Sequence, residues 1–207
     1  GDPQERLRCF HVAGTNGKGS VCAILESVLR SAGYKTGLYT SPHLVNVRER
    51  IRLAGRDVSR VDFARFMGRT LKADPRGRLT YFELLTSVAF QAFARAGVDV
   101  VVLETGLGGR LDATNVIKNP VAALITSIEL DHTAYLGASL GRIAAEKAGI
   151  FKPGCPAFSP SLPPAALRSI SGRARAVDAP LVVVAKAWQA RNHDWQGNSQ
   201  ILVSGRR

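Results

Sequence analysis

The residues most able to do chemistry begin at 10–20, FHVAGTNGKGS, where an apolar run gives way to a glycine-studded turn carrying one lysine. Gly14, Gly17 and Gly19 free the backbone to turn its N–H groups toward an anion, and Lys18 adds a point charge. The helix-like stretch that follows offers its positive end to the same place, so the segment reads as a phosphate cradle. Its spacing departs from the ordinary P-loop, G-x-x-x-x-G-K-S/T: Val12 stands at the first glycine position, and Gly19 separates Lys18 from Ser20. The other reading of the same residues is a glycine-rich turn between a strand and a helix, with Lys18 solvated.

Three further polar groups each follow an apolar run: Ser41, Glu104 and the pair Asp131-His132. A hydroxyl, a carboxylate and an imidazole beside a phosphate cradle suit Mg²⁺, which takes few protein ligands and completes its octahedron with phosphate oxygens and water. Singly, each has a plainer reading: a solvated glutamate at a strand end, or a histidine that caps a helix or packs in the core. Lys147 stands out by pattern. Leu140, Ile143, Lys147 and Ile150 share one helix face, so the lysine falls on an apolar stripe. Either it turns inward, where an ammonium must be paired or chemically altered, or it snorkels outward near the helix end.

These residues need a scaffold that brings chain segments a hundred positions apart to one place. The sequence predicts strands over 9–13, 35–40, 98–104 and 121–128, and helices over 19–32, 59–71, 80–97 and 139–148. Val21, Ile24, Leu25, Val28 and Leu29 supply the apolar spacing of the first helix, and Thr80 with Glu83 forms a capping box for the third. Residues 47–58 read as an exposed hairpin or long loop around Ala54-Gly55, residues 72–78 as a loop, and 200–203 as strand-like. The run VDVVVLE at 98–104 is apolar enough to be a parallel strand buried on both faces. Strand and helix alternate, which defines an α/β fold with a mostly parallel sheet flanked by helices. Ligands gather outside the carboxyl ends of such strands, and all four polar clusters fall there.

At 207 residues and 45% hydrophobic, the chain is long and apolar enough for a real core. No apolar run approaches the roughly 20 residues that span a bilayer, and no secretory pattern opens the sequence, so a cytoplasmic protein with no membrane role is expected. Cys9, Cys22 and Cys155 are odd in number and lack metal-ligand spacing, which makes them reduced core thiols. The formal net charge of +12 favours anionic partners. The arginines are scattered and no aromatic-basic module accompanies them, so the expected anion is a nucleotide or small polyanion and not nucleic acid.

The whole series of blocks resembles the Mur ligase superfamily and, within it, dihydrofolate synthase/folylpolyglutamate synthase. GTNGKGS (14–20), YTSPHL (39–44), RERIRL (48–53), LTYFE (79–83), LETGLGGRLDATN (103–115), LDHTAYLG (130–137) and EKAGIFKPG (146–154) occur in that family's order. Thr105 departs from the valine that the family more often has. The resemblance implies a P-loop Mur-ligase-type central domain. Gly14, Thr15, Asn16, Gly17, Lys18, Gly19 and Ser20 would hold ATP phosphates, and Ser41, Glu104 and His132 would bind Mg²⁺. Lys147 would be carbamylated and, with Lys18, catalytic. Thr80, Tyr81, Phe82, Glu83, Leu111, Asp112 and Ala113 would line the pterin site. The implied reaction is ATP-dependent joining of L-glutamate to dihydropteroate, or to the γ-carboxylate of a reduced folate, through an acyl phosphate. The resemblance also implies that residues 1–207 form an ATP-binding domain incomplete at both ends, without the C-terminal Rossmann-like, glutamate-ligating domain, in a protein that is monomeric at full length. The alternatives are a P-loop kinase or GTPase-like module, for which the chain lacks both the ordinary P-loop spacing and an N-K-x-D, and a nucleotide-binding module without ligase activity.

Overall fold

The computed structural model describes residues 2–184, together with the backbone of 190–191 and 202–203. Eight strands form one sheet: β1 (Cys9–Ala13), β2 (Thr36–Tyr39), β3 (Ile51–Leu53), β4 (Arg56–Asp57), β5 (Val100–Glu104), β6 (Ala122–Ile125), β7 (Ala157–Ser159) and β8 (Leu181–Val183). Their spatial order is β4-β3-β2-β5-β1-β6-β7-β8. The six strands from β2 to β8 are mutually parallel, and β3 and β4 add antiparallel at one edge. The mostly parallel α/β class expected from the alternation is therefore the observed one. The helices are α1 (Lys18–Ser31), α2 (Arg60–Ala73), α3 (Tyr81–Ala96), α4 (Thr133–Leu136), α5 (Leu140–Lys147) and α6 (Pro164–Ala176).

Alternation along the central strand divides the core. On β1, Val12 joins Cys22, Leu38 and Val102 under α1, with Phe10, Val21, Leu25 and Leu29 packed against them. Cys9 faces the other way, into the cluster of α2 and α3 with Val101 and Leu103. Ala13 points to that same side but packs with Ile125, Ile143, Ile150, Phe151 and Ile170 under α5 and α6. All five residues of β5 are buried, as expected for a strand covered on both faces.

Several boundaries and faces differ from expectation. Within α1, Ile24 and Val28 are exposed, and the sheet-facing stripe is Val21, Cys22, Leu25 and Leu29. The buried Glu26 on this helix accepts from Thr36 Oγ1 at 2.5 Å and from Arg30 Nε at 3.1 Å. The hairpin expected around Ala54-Gly55 forms, β3 pairing antiparallel with β4 and the tip exposed, but the base of residues 47–58 is not exposed. These residues form a 3₁₀ turn (Val47–Arg50), β3 and β4, and Ile51 and Val58 are fully buried, because β3 pairs with β2 and so inherits the core. Unforeseen elements are α4, too short for a periodicity signal, and the unit β7-α6-β8, which extends the sheet beyond β6. Of the strand expected at 200–203, Leu202–Val203 pairs antiparallel with Ala190–Arg191, while Gln200 and Ile201 lie outside the described residues. Cys9, Cys22 and Cys155 are buried free thiols, and burial raises all three above the ordinary thiol range.

Candidate active site

β1 lies between β5 and β6, and the turn that leaves its carboxyl end is the glycine-rich segment. Gly14 passes so close to the next strand that a Cβ there would lie 1.8 Å from Thr126 Oγ1. This is the physical requirement for its glycine. The turn is then stitched to the chain following β6. Thr15 N donates to Ser127 O at 2.8 Å, Asn16 N to Ser127 Oγ at 2.9 Å, and Asn16 Nδ2 to Glu129 Oε2 at 3.0 Å. Thr126 Oγ1 donates to Asn16 O at 2.7 Å.

Gly17 takes a left-handed conformation, φ 80°, as N-cap of α1, and no side chain caps that end. The first N–H groups of a fourteen-residue helix therefore face outward at the positive end of its dipole. Lys18 Nζ folds back to donate to Thr15 O at 3.1 Å. Backbone donors, dipole and ammonium converge on a cleft of about 820 Å³ that Thr15 and Lys18 line on one side.

Glu104, the last residue of β5, stands beside the same helix end: a Cβ on Gly19 would lie 3.6 Å from its Oε2. Ser41 N donates to that oxygen at 3.1 Å, so the end of β2 and the end of β5 are brought together as expected. Burial raises the Glu104 carboxyl above its ordinary range, opposed by the Ser41 N–H and by the Lys18 and Arg50 charges. His132 lines the cleft from the N-cap of α4, in a left-handed conformation with φ 48°, and its Nε2 lies 3.6 Å from Asp131 Oδ2. Among the described residues, no cluster of three or more His, Cys, Asp or Glu side chains could hold a metal unaided. The donor set fits Mg²⁺ bound chiefly through phosphate oxygens and water, and does not fit an all-protein metal cage.

The structure decides the orientation of Lys147. It is 3% exposed and its Nζ donates to Gly14 O at 2.7 Å, so it turns inward against the cradle. Burial, reinforced by the Lys18 charge and opposed by Asp131, pulls its ammonium down to about 8.

The cleft's other wall carries Thr80, Phe82, Glu83, Gly106, Leu107, Gly108, Gly109, Arg110, Leu111, Asp112 and Ala113. Not all of these side chains are free to touch a ligand. Thr80 and Glu83 are spent on the predicted capping box: Glu83 N donates to Thr80 Oγ1 at 3.3 Å, and Thr80 N to Glu83 Oε2 at 2.7 Å. Asp112 accepts Gly106 N and Leu107 N on Oδ2, each at 2.9 Å, and Thr114 N on Oδ1 at 2.9 Å, so its carboxylate builds the loop. Phe82 presents a ring, 5.7 Å from that of Tyr39, and the exposed Leu111 offers apolar surface. Tyr81 is exposed outside the cleft lining and lies under the Arg50 guanidinium, 5.8 Å from its ring centroid.

Arg50 was not foreseen. It lines the cleft and donates from Nε to His43 Nδ1 at 2.9 Å, adding a cation beside Glu104. The signal was the RERIRL block itself: Arg50 ends the 3₁₀ turn (Val47–Arg50) that leads into β3, and the pairing of β3 with β2 brings it to the cleft. Also unforeseen is the clamp between the loop that follows β5 (residues 105–112) and α5. Arg110 donates from Nε and Nη2 to the Glu146 carboxylate, at 3.1 and 3.0 Å to Oε1, and its N donates to Glu146 O at 2.9 Å.

A parallel α/β sheet with an uncapped helix N-terminus, a lysine and a buried carboxylate at its carboxyl edge defines a nucleotide-phosphate-binding domain. Residues 12–156 match the Mur ligase middle domain, and the chain belongs to that family, within its folylpolyglutamate synthase/dihydrofolate synthase branch. It is 46% identical over 187 residues to a folylpolyglutamate synthase of Arabidopsis thaliana, covering 86% of this chain and 32% of that protein. It is 49% identical over 158 residues to a probable dihydrofolate synthetase of Schizosaccharomyces pombe, covering 75% of this chain and 38% of that one. The structure of E. coli FolC in complex with DHPP and ADP superposes with a TM-score of 0.84 at 43% identity, over 90% of this chain and 44% of that chain. The chain thus spans about a third of the length of the curated relatives it matches. Among the described residues no helix is long and apolar enough to cross a membrane.

Proposed function

We propose that this chain is the ATP-binding part of a ligase that joins L-glutamate to dihydropteroate or to the γ-carboxylate of a reduced folate. The observation that carries the reading is the convergence, on one cleft, of an open anion-binding helix end with Lys18, backed by the buried Glu104 carboxylate that holds Ser41, and a second wall of ring-contacting and apolar groups. The first suits a nucleotide's phosphates and the second a flat heterocycle. The relatives named folylpolyglutamate synthase and dihydrofolate synthetase, and a solved relative holding ADP, support the same assignment.

In this reading the substrate carboxylate attacks the γ-phosphorus of ATP and the bond to ADP breaks, giving an acyl phosphate. The amine of glutamate then attacks the acyl carbon, phosphate leaves, and the amine proton passes to solvent. The α1 N–H groups and Lys18 balance the charge that shifts onto the β- and γ-oxygens, the main task in phosphoryl transfer. Glu104, Ser41 and His132 would hold Mg²⁺, which supplies further charge neutralisation there. Lys147 fits the carbamate expected of it. An amine pulled down to about 8 is neutral far more often near pH 7 than a solvated lysine, and only the neutral amine adds CO₂, releasing one proton. The carbamate would carry negative charge into a site otherwise rich in lysine and arginine. Phe82, Leu111 and Ala113 would contact the pterin, while Thr80, Glu83 and Asp112 shape the wall. The substrates are small molecules. We place the protein in the cytoplasm, acting as a monomer at full length.

The test is ADP release by the complete gene product with ATP, glutamate and either dihydropteroate or tetrahydrofolate. Turnover that requires all three substrates is the expected result. ADP release independent of the pterin substrate and glutamate would overturn the ligase reading.

A further inference from the structure

The structure holds a buried histidine that the chemistry above does not use. His11 sits in the middle of β1, fully buried, and its Nε2 lies 2.8 Å from Thr114 Oγ1 in the 3₁₀ turn (Ala113–Val116) that ends the loop after β5. Thr114 Oγ1 in turn donates to Asp112 Oδ1 at 2.5 Å. That direction is forced, because a carboxylate already receiving three backbone N–H groups only accepts. The threonine proton being committed, its oxygen receives a hydrogen from His11, which fixes the imidazole as the Nε2–H tautomer. Nδ1 is then a buried lone pair without a partner. Burial and the Lys152 charge keep the ring neutral.

An unpaired buried acceptor costs free energy, and an apolar side chain would fill the same space without it. What the histidine adds is the Nε2–H bond. Through Thr114 and Asp112 that bond reaches the N–H groups of Gly106 and Leu107, and so reaches the two stretches of the loop that face the cleft.

We propose that His11 is a positioning residue for the pterin-side wall: the chain His11–Thr114–Asp112 sets where Leu111 and Ala113 stand in the cleft. The inference rests on the substrate assignment above only for the identity of the ligand; the hydrogen-bond chain stands without it.

The experiment pairs spectroscopy with kinetics on the complete gene product. With isotope-labelled histidine, ring-nitrogen resonances should give His11 as the Nε2–H tautomer, and Thr114→Val should shift the Gly106 and Leu107 amides. His11→Leu and Thr114→Val are each expected to raise KM for the pterin substrate about tenfold, the loss of one charge-relayed hydrogen bond, with KM for ATP unchanged. His11→Gln, which keeps a donor, should recover most of it, and the double variant should be no worse than either single one. An Nδ1–H tautomer, unshifted loop amides in Thr114→Val, or equal losses for ATP and pterin substrate would overturn the proposal. Should His11→Leu fail to fold, Thr114→Val and the tautomer decide alone. A wild-type protein inactive with pterin substrates would refute the function and leave the tautomer and the loop amides to judge the chain.

Discussion

Lys147 Nζ donates to the carbonyl oxygen of Gly14 at 2.7 Å, joining the last turn of α5 to the first residue of the phosphate cradle across 133 positions of sequence. The lysine that could be modified and the turn that could hold phosphate are one packed unit. Anything that alters the charge on that amine acts directly on the cradle.

A titration follows from that burial. Because the folded state pulls the ammonium from 10.5 down to about 8, the unfolded chain keeps this proton to higher pH than the folded one. In protein freed of CO₂, where the amine is unmodified, stability should therefore rise as pH climbs from about 8 to 10.5, with the full cost of the buried charge present below about 8. Scanning calorimetry across that window should show wild type gaining on Lys147→Met. A difference independent of pH would mean the lysine is solvated.

The carbamate has its own test. Lys147→Ala should lose turnover and regain part of it with small carboxylates, which can enter the space the carbamate would fill. Full activity of Lys147→Ala without any additive would remove the modified lysine from the chemistry.

Glu104→Gln keeps the shape of the side chain and removes its charge. Turnover dependent on Mg²⁺ should fall at least about a hundredfold, as for loss of a central electrostatic group. The folded state raises this carboxyl above its ordinary 4.5, so the ionised form is penalised above that pH, and the amide relieves the penalty. The melting temperature at neutral pH should be unchanged or higher. A large drop would show that Glu104 is needed for folding more than for metal.

Gly14→Ala drives a methyl group into Thr126, whose Cβ and N would also lie only 3.0 and 3.1 Å away. The cradle cannot yield without breaking its stitches to residues 126–129, so a loss of roughly 3 kcal/mol is expected from urea unfolding. Near-wild-type stability would mean that the turn is free to move off β6.

Thr80→Ala removes the N-cap of α3 on the cleft wall. Stability should fall by about 1 kcal/mol in denaturant titration. The pterin substrate's KM should follow only modestly, since Thr80 is tied to Glu83. A selective collapse of pterin binding would make Thr80 a direct contact.

Much of this protein was legible in its sequence. The glycine spacing of residues 14–19, the buried run of β5, the capping box at Thr80 and the alternation of strand and helix are local facts, fixed by backbone sterics and hydrophobic period. The order of the blocks gave the family.

What the tertiary structure alone decided is where side chains point and on what they are spent. Periodicity left Lys147 facing either way; only the packing of α5 against the cradle turned it inward. The family resemblance made Asp112 and Glu83 candidates for ligand contact, whereas loop and cap geometry consume their carboxylates. Arg50 was one of many scattered arginines until the fold set it at the cleft, and nothing in the local pattern joined His11 to Thr114. Each depends on groups far apart in the chain, and a local pattern cannot encode a distance that the whole sheet must close.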